Sequence, residues 1–276
     1  RESFFHGKNT LVVGVRKGLD FAGCKPSAHY QLPLATGCSA ICEYCYLNTN
    51  LGKKPYTRIY VNIEEILEQA RSLIEARKPR TTVFEASATS DPVPVEPLSG
   101  ALAKAISFFA DQEHGRLRIA TKFPCPEPLL SSPHARHTRI RYTINLEHII
   151  KSSERRTPGL AERFYALNQV LERGYPAGVM IAPVFLEGNW QQDYEDLLIR
   201  LQEALVFPPG ADLHFEIISH RFTIRARSLV NEVFPKNQLP MDEKNGRQFK
   251  YGQFGYGKYV YDLQRLDKMK SFFSCR

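Results

Sequence analysis

Three cysteines fall within eight residues, Cys38, Cys42 and Cys45 in TGCSAICEYCYL, directly after an apolar, strand-like segment. The CxxxCxxC spacing crowds three soft thiolates onto one short loop, which suits three corners of a [4Fe-4S] cubane and leaves the fourth iron open for chemistry. A structural zinc site is the alternative. Zinc shells are closed by four protein ligands, commonly two separated pairs. No second pair is present, although Cys24, upstream of the loop, offers a fourth thiol. Disulfide use fits poorly, because the motif crowds its thiols and no secretory segment is seen.

The chain has 276 residues, 43% of them hydrophobic, enough for one large α/β domain with a substantial core and a small appendage. No apolar run reaches the length of a membrane span, so a reducing, cytoplasmic setting with no membrane is expected. The first residues are Arg1-Glu2 rather than methionine, and residues 1–24 are expected to be the remnant of a longer N-terminal part. With 37 Lys and Arg against 29 acids the net charge is +8. Such an excess favours a phosphate backbone when gathered on one face. The run RHTRIR, 136–141, reads equally well as a solvated strand edge.

Short β-rich runs recur at 31–36, 82–87, 117–121, 139–144, 178–183 and 213–218, with amphipathic helical stretches between them. One stretch places Ile63, Ile66, Leu67, Ala70, Leu73 and Ile74 on one face, the next Leu98, Ala101, Leu102, Ala105, Ile106 and Phe109. Leu160, Phe164, Leu167 and Leu171 repeat the pattern, as do Tyr194, Leu197, Leu198, Leu201 and Leu205. Strands alternating with helices imply parallel pairing and right-handed crossovers. In such folds sites gather at the C-terminal strand ends, which here deliver the cysteine loop, residues 88–91, Lys122, Asn145, Ala182, and His220 with Arg221. Beyond them, FKYGQFGYGKYVY at 249–261 mixes glycines, aromatics and lysines in a hairpin-like pattern suited to bases and phosphates. A plain aromatic hairpin covering the barrel edge remains the other reading.

The cysteine motif resembles that of radical S-adenosylmethionine enzymes, and the six βα units match their α/β fold, an open partial (β/α)6 barrel. The run KPSAHYQLPLATGCSAICEYCYLNTNLGKKPY, with FEASATSD, LRIATKF, RYTIN, IAPVF, FEIISHRFT and GKYVY, resembles more narrowly the spore photoproduct lyases, over nearly the whole chain. The resemblance implies a barrel over 25–222 and a C-terminal extension with a DNA-contacting hairpin over 223–276. It implies a DNA repair lyase that reverts the ultraviolet lesion 5-thyminyl-5,6-dihydrothymine to two thymines. An adenosyl radical takes hydrogen from C6 of the saturated ring, β-scission breaks the methylene bridge, and the resulting methyl radical must regain a hydrogen. The implied cofactors are the [4Fe-4S] cluster on Cys38, Cys42 and Cys45 and S-adenosylmethionine, held by Ser90, Lys122, Thr143, Asn145, Ala182 and the backbone at Tyr44. The implied partners are UV-damaged DNA and a reducing electron donor of flavodoxin or ferredoxin type, with the chain as a monomer.

Tyr44 and Tyr46 fall where the family's tyrosines take part in radical return. The family's hydrogen-donating cysteine falls on Ala88, whose methyl group cannot return an atom, so the chain reads as an impaired, engineered or variant form; Cys125, just past the third strand, reads as a substitute donor or, more simply, as a buried inert thiol. The hairpin's expected DNA contacts are Arg221, Lys250, Gln253, Phe254, Tyr256 and Lys258; Gln253 and Phe254 stand where the family often has arginine and tyrosine. The competing functions are a radical S-adenosylmethionine enzyme with another substrate and a non-enzymatic metal-containing DNA-binding module.

Overall fold

The protein is described here by a computed structural model covering residues 1–52, 55–252 and 255–275. Six parallel strands, β1 (Ala28–Leu32), β2 (Thr82–Ala86), β3 (Gly115–Thr121), β4 (Thr138–Ile144), β5 (Ala177–Val184) and β6 (Leu213–Ser219), pair in the order β6-β5-β4-β3-β2-β1. A two-residue strand, Gly23–Cys24, adds antiparallel to β1 at the edge. Strands β1 and β6 do not pair, so the sheet is an open partial barrel, as the βα rhythm predicts.

Its curl is visible in the side chains. Arg118 of β3 pairs with Glu216 of β6, although β4 and β5 lie between them in the sheet, and such a contact requires a concave face. Arg141 of β4 joins the same belt, reaching Glu216 at 3.0 Å and bonding Glu85 of β2, while Ser27 donates to Glu85 at 2.7 Å. Two arginines and two glutamates thus neutralise one another inside the half-barrel, as buried charges must. Gly178 makes room: a Cβ there would lie 2.6 Å from Arg141 Cγ. The run 136–141 is therefore no continuous basic patch, since Arg141 is buried, Arg139 pairs with Asp212 at 2.6 Å, and only its start, at Arg136, is a solvated edge.

The helices α1 (Ile63–Glu75), α2 (Ala101–Ala110), α3 (Glu147–Ser153), α4 (Leu160–Glu172) and α5 (Trp190–Ala204) fill the gaps between strands. Ile63, Ile66, Leu67, Ala70 and Ile74 bury the face of α1. Leu98 does not belong to α2. It sits 69% exposed on the separate turn Glu96–Ser99, which Gly100 closes at φ 60°. Glu96 then caps α2 by accepting the N–H groups of Leu102 and Ala103 at 2.8 and 2.9 Å. Leu205 lies just beyond the end of α5. Among the described residues no helix is long and apolar enough to cross a membrane.

The first strand lies upstream of the expected run 31–36, at Ala28–Leu32, and overlaps it only at Gln31 and Leu32. Strand β1 stops before Pro33, which lacks an N–H to give, and Ala35–Thr36 turns into a small sheet with Thr57–Tyr60 and Leu11–Gly14. Residues 1–24 are joined to the body through that sheet, through the edge strand, and through the helix Glu2–Lys8, whose Phe4 packs against Phe234. After β6 come α6 (Ile224–Val233), the antiparallel strands β7 (Arg247–Tyr251) and β8 (Gly257–Tyr261), and α7 (Leu263–Ser274). Neither helix is anticipated by the hydrophobic spacing, because each is largely half-exposed and buries few residues.

Gly37 leads directly into Cys38 at φ 81°, and a Cβ there would stand 2.1 Å from the Tyr56 carbonyl. Gly37→Ala is expected to cost roughly 1–3 kcal/mol from the backbone alone, with the collision adding to it. Gly14→Ala, with open space around it, should stay within about 0.5 kcal/mol of wild type, both read by urea denaturation.

Candidate active site

The cysteine loop is fastened at several points. Ile41–Cys42 pairs antiparallel with Glu154–Arg155, Asn48 Nδ2 donates to the Cys42 carbonyl at 2.9 Å, and Lys8 Nζ donates to the carbonyls of Cys38 and Ala40, each at 3.0 Å. Ala40, Leu47, Leu51 and Phe123 wrap the thiols in apolar surface. Burial pushes Cys38 up to about 12, with Asp91 adding to it, and drives Cys42 and Cys45 upward as well. Cys38 and Cys42 both feel the charge of Cys45, so the three sulfurs share one neighbourhood. The Ala40 and Leu47 N–H groups point at Cys38 and Cys45, contacts that favour the thiolate form.

Among the described residues no three His, Cys, Asp or Glu are gathered tightly enough for a single metal ion. Cys24 answers to Glu85, Arg141 and Arg118, not to the trio. The zinc alternative therefore lacks its fourth ligand and its tetrahedral closeness. Three buried thiols on one loop fit a cubane, which spreads its ligands over several irons and leaves one corner uncapped.

Beside the loop, Glu154 is fully buried and collects cations. Arg163 Nη2 lies 2.6 Å and Lys122 Nζ 3.2 Å from Oε2, and the Tyr44 hydroxyl donates to Oε1. Burial alone would raise the Glu154 carboxyl, but Lys122 and Arg163 outweigh it and hold it below the usual range. Arg163 also donates to the Thr143 carbonyl at 2.9 Å, tying the end of β4 to α4. The expected cofactor residues line this rim. Ser90 donates to the Gly37 carbonyl, and Asp91 accepts from Thr121 Oγ1 at 2.9 Å and Lys122 N at 3.0 Å. Burial pushes Asp91 up to about 6. Asn145 is spent on the backbone, donating to the Pro183 carbonyl at 3.0 Å and accepting from Leu146 N at 2.9 Å, which binds the β4 end to the β5 rim beside Ala182.

Across the rim, Ser87 at φ 51° turns the chain so that the Ala88 carbonyl receives the Tyr46 hydroxyl. Tyr46 is 54% exposed and lies within electrostatic range of Cys45, Cys24, Glu85 and Tyr256. It therefore stands where the cysteine loop, the edge strand and the hairpin meet. Cys125 is not part of this rim. Its sulfur is packed in the main core, accepts from the Tyr142 hydroxyl at 3.4 Å and is pushed up to about 12 by burial, so the substitute-donor reading gives way to an inert, enclosed thiol.

Lys250 and Lys258 face each other across β7 and β8, and burial together with the Arg221 and Lys250 charges pulls the Lys258 ammonium below its usual range. Tyr251 and Tyr256 are exposed, at 71% and 50%. Gln253 and Phe254 lie outside the described residues. The hairpin base is fixed to the barrel by Arg247, which stacks 3.5 Å over Tyr261 and donates to the His220 carbonyl at 2.8 Å. Burial, with Arg247 adding, pushes His220 down to about 3, so it is a neutral wall between Phe185 and Phe222 rather than a cation for DNA.

The spore photoproduct lyase family model matches residues 1–276. The chain belongs to the spore photoproduct lyase family. A spore photoproduct lyase of Clostridium acetobutylicum is 53% identical over 99% of this chain and 80% of that protein. One from Bacillus subtilis is 43% identical over 94% of this chain and 76% of its own length. A solved spore photoproduct lyase double mutant with bound AdoMet and dinucleoside spore photoproduct superposes with a TM-score of 0.94 at 42% identity, covering 98% of this chain and 79% of that one. Another, complexed with dinucleoside spore photoproduct, gives 0.93 at 41% identity. Spore photoproduct lyases are radical S-adenosylmethionine enzymes.

Sequence reasoning misses Glu154, Arg163, Lys8 and Glu85, and weighs Cys24 only as a zinc ligand. Charged residues between elements carry no period, so only the fold shows which of them turn inward. Glu154→Gln would leave Lys122 and Arg163 buried without their counter-charge and is expected to cost about 3–5 kcal/mol. Because the folded carboxyl is depressed, its contribution is complete above the ordinary value of 4.5 and is lost as pH falls through the lower folded value. Chemical denaturation between pH 3 and pH 7 should show a shallower acid loss in the variant.

Proposed function

We propose that this chain reverts the spore photoproduct in UV-damaged DNA to two thymines, and that Cys24 returns the last hydrogen. The observation that carries the reading is the meeting of the cysteine loop with Tyr46, Ala88 and Cys24 at one rim of the half-barrel. The cluster and S-adenosylmethionine, when bound, supply the carbon-centred oxidant that takes hydrogen from the lesion.

This chain's residues do the rest. Lys122, held by Glu154, presents an ammonium for a carboxylate near Cys42 and Cys45. After the methylene bridge breaks, a thymine methyl radical needs one hydrogen atom, which the Ala88 methyl cannot give. A thiol can: its S–H bond breaks, the new C–H bond forms, the sulfur radical that remains takes hydrogen from the Tyr46 phenol, and the phenoxyl radical left there takes one electron from the external low-potential donor and one proton from solvent. Burial, with Glu85 adding, pushes Cys24 up to about 11, which keeps the S–H intact at neutral pH. Ala88 then marks a relocated donor rather than a disabled enzyme. Tyr44, whose hydroxyl is committed to Glu154, is the less available phenol.

Access requires the lesion to leave the duplex. Lys250, Lys258 and Arg221 form the phosphate-facing group, with Tyr251 and Tyr256 exposed beside them for stacking. A low-potential one-electron donor of flavodoxin or ferredoxin type completes the reaction, with the chain acting as a monomer.

Anaerobic turnover with lesion DNA tests this. Wild type should yield thymine, Cys24→Ala should lose clean thymine at least about tenfold and gain side products, a difference of roughly 1.4 kcal/mol in barrier, and Ala88→Cys placed on that background should restore it. Unchanged thymine yield from Cys24→Ala would remove Cys24 from the reaction. Separately, Lys258→Ala should lower the log–log salt slope of DNA binding by about one, read by fluorescence anisotropy.

A further inference from the structure

Lys8 is the last residue of the helix Glu2–Lys8 and is only 4% exposed. Its ammonium reaches the carbonyls of Cys38 and Ala40, each at 3.0 Å, and lies 5.7 Å from the centre of the Phe4 ring. Among the described residues no carboxylate lies within ion-pair distance of it. That sets it apart from the other fully buried cations, since Arg141 has Glu85 and Glu216, and Arg163 has Glu154. A buried charge without a counter-charge is costly, and an anion placed beside it would offset that cost.

The anion is close at hand. Lys8 acts electrostatically on Cys38 and Cys45, whereas Lys122 acts on Cys42 and Cys45. Lys122 shares the Glu154 carboxylate with Arg163, whereas Lys8 has no carboxylate partner among the described residues, so Lys8 adds a positive charge at the loop that no ion pair answers. Bridging two carbonyls would need only a neutral donor.

We propose that Lys8 is a positioning residue for electron entry: a fixed charge behind the cysteine loop that stabilises the reduced state of the cluster. One electron from the external low-potential donor makes the cluster more negative by one, and the Lys8 ammonium favours that state through a medium that screens weakly. Net charge and hydrogen bonding around the sulfurs set the potential of such a cluster. The proposal rests on the cluster reading of Cys38, Cys42 and Cys45.

The test is an EPR-monitored redox titration of the anaerobically iron-loaded full chain, without S-adenosylmethionine or DNA. Lys8→Gln keeps a donor for the two carbonyls and removes the charge, and Lys8→Arg keeps the charge. The reduced-to-oxidised ratio at a given potential should fall at least about tenfold in Lys8→Gln, a midpoint about 59 mV lower for one electron, while Lys8→Arg stays within about threefold of wild type. A Lys8→Gln midpoint within that threefold band overturns the proposal. If Lys8→Gln folds by circular dichroism yet binds little iron while Lys8→Arg loads fully, the requirement for charge is upheld. If both variants fail to load, or fail to fold, Lys8 is a packing residue and the proposal is overturned. A wild-type chain that takes up no iron would instead sink the cluster reading itself.

Discussion

Glu154 draws two cations and a phenol into a site from which water is excluded, and the geometry of the cysteine loop depends on it. The same residue pairs through its backbone with Cys42, accepts through its carboxylate oxygens from Lys122, Arg163 and Tyr44, and through Arg163 reaches the end of β4. Loop, third-strand rim and fourth-strand rim are thereby set relative to one another by charge rather than by apolar packing alone. Apolar contact is non-directional and tolerates small slips. Hydrogen-bonded ion pairs fix angle as well as distance, which a site delivering reactive atoms requires.

The barrel interior follows the same rule at a different level. The belt of Arg118, Arg141, Glu85 and Glu216 is charge-balanced and closes the concave face of an open sheet, so the sheet holds its curl without a seventh or eighth parallel strand. Glu85 belongs to both systems: it anchors Arg141 and lies near Cys24 and Tyr46. The scaffold's interior charge thus sets the environment of the thiol and phenol above it.

Much of this was legible in the residues. Six strands announced themselves as β-branched or apolar runs, and α1 and α4 as helical stripes, because each buries a continuous face and burial imposes a period. The cysteine loop was legible because three thiols at that spacing have few other uses. Leu98 misled because apolar spacing continues across Gly100, and only the left-handed glycine and the Glu96 cap show that the helix restarts. Cys125 allowed two readings: a position just past a strand end suggests the rim, whereas a lone thiol is commonly buried and inert, and Tyr142 with the surrounding core encloses it as the second reading has it. Cys24, Lys8 and Glu154 were hidden because their significance is a matter of distance between segments remote in sequence.

The lysines opposed across the hairpin carry a consequence for how this arm behaves. Like charges directly opposite on an antiparallel pair weaken the ladder that holds them, and here Arg221 adds a third. In the proposed function a polyanion lies along the arm and would cancel that repulsion, so strand pairing and nucleic-acid binding would reinforce each other by mutual linkage. On that reading the arm is firmest when it is loaded.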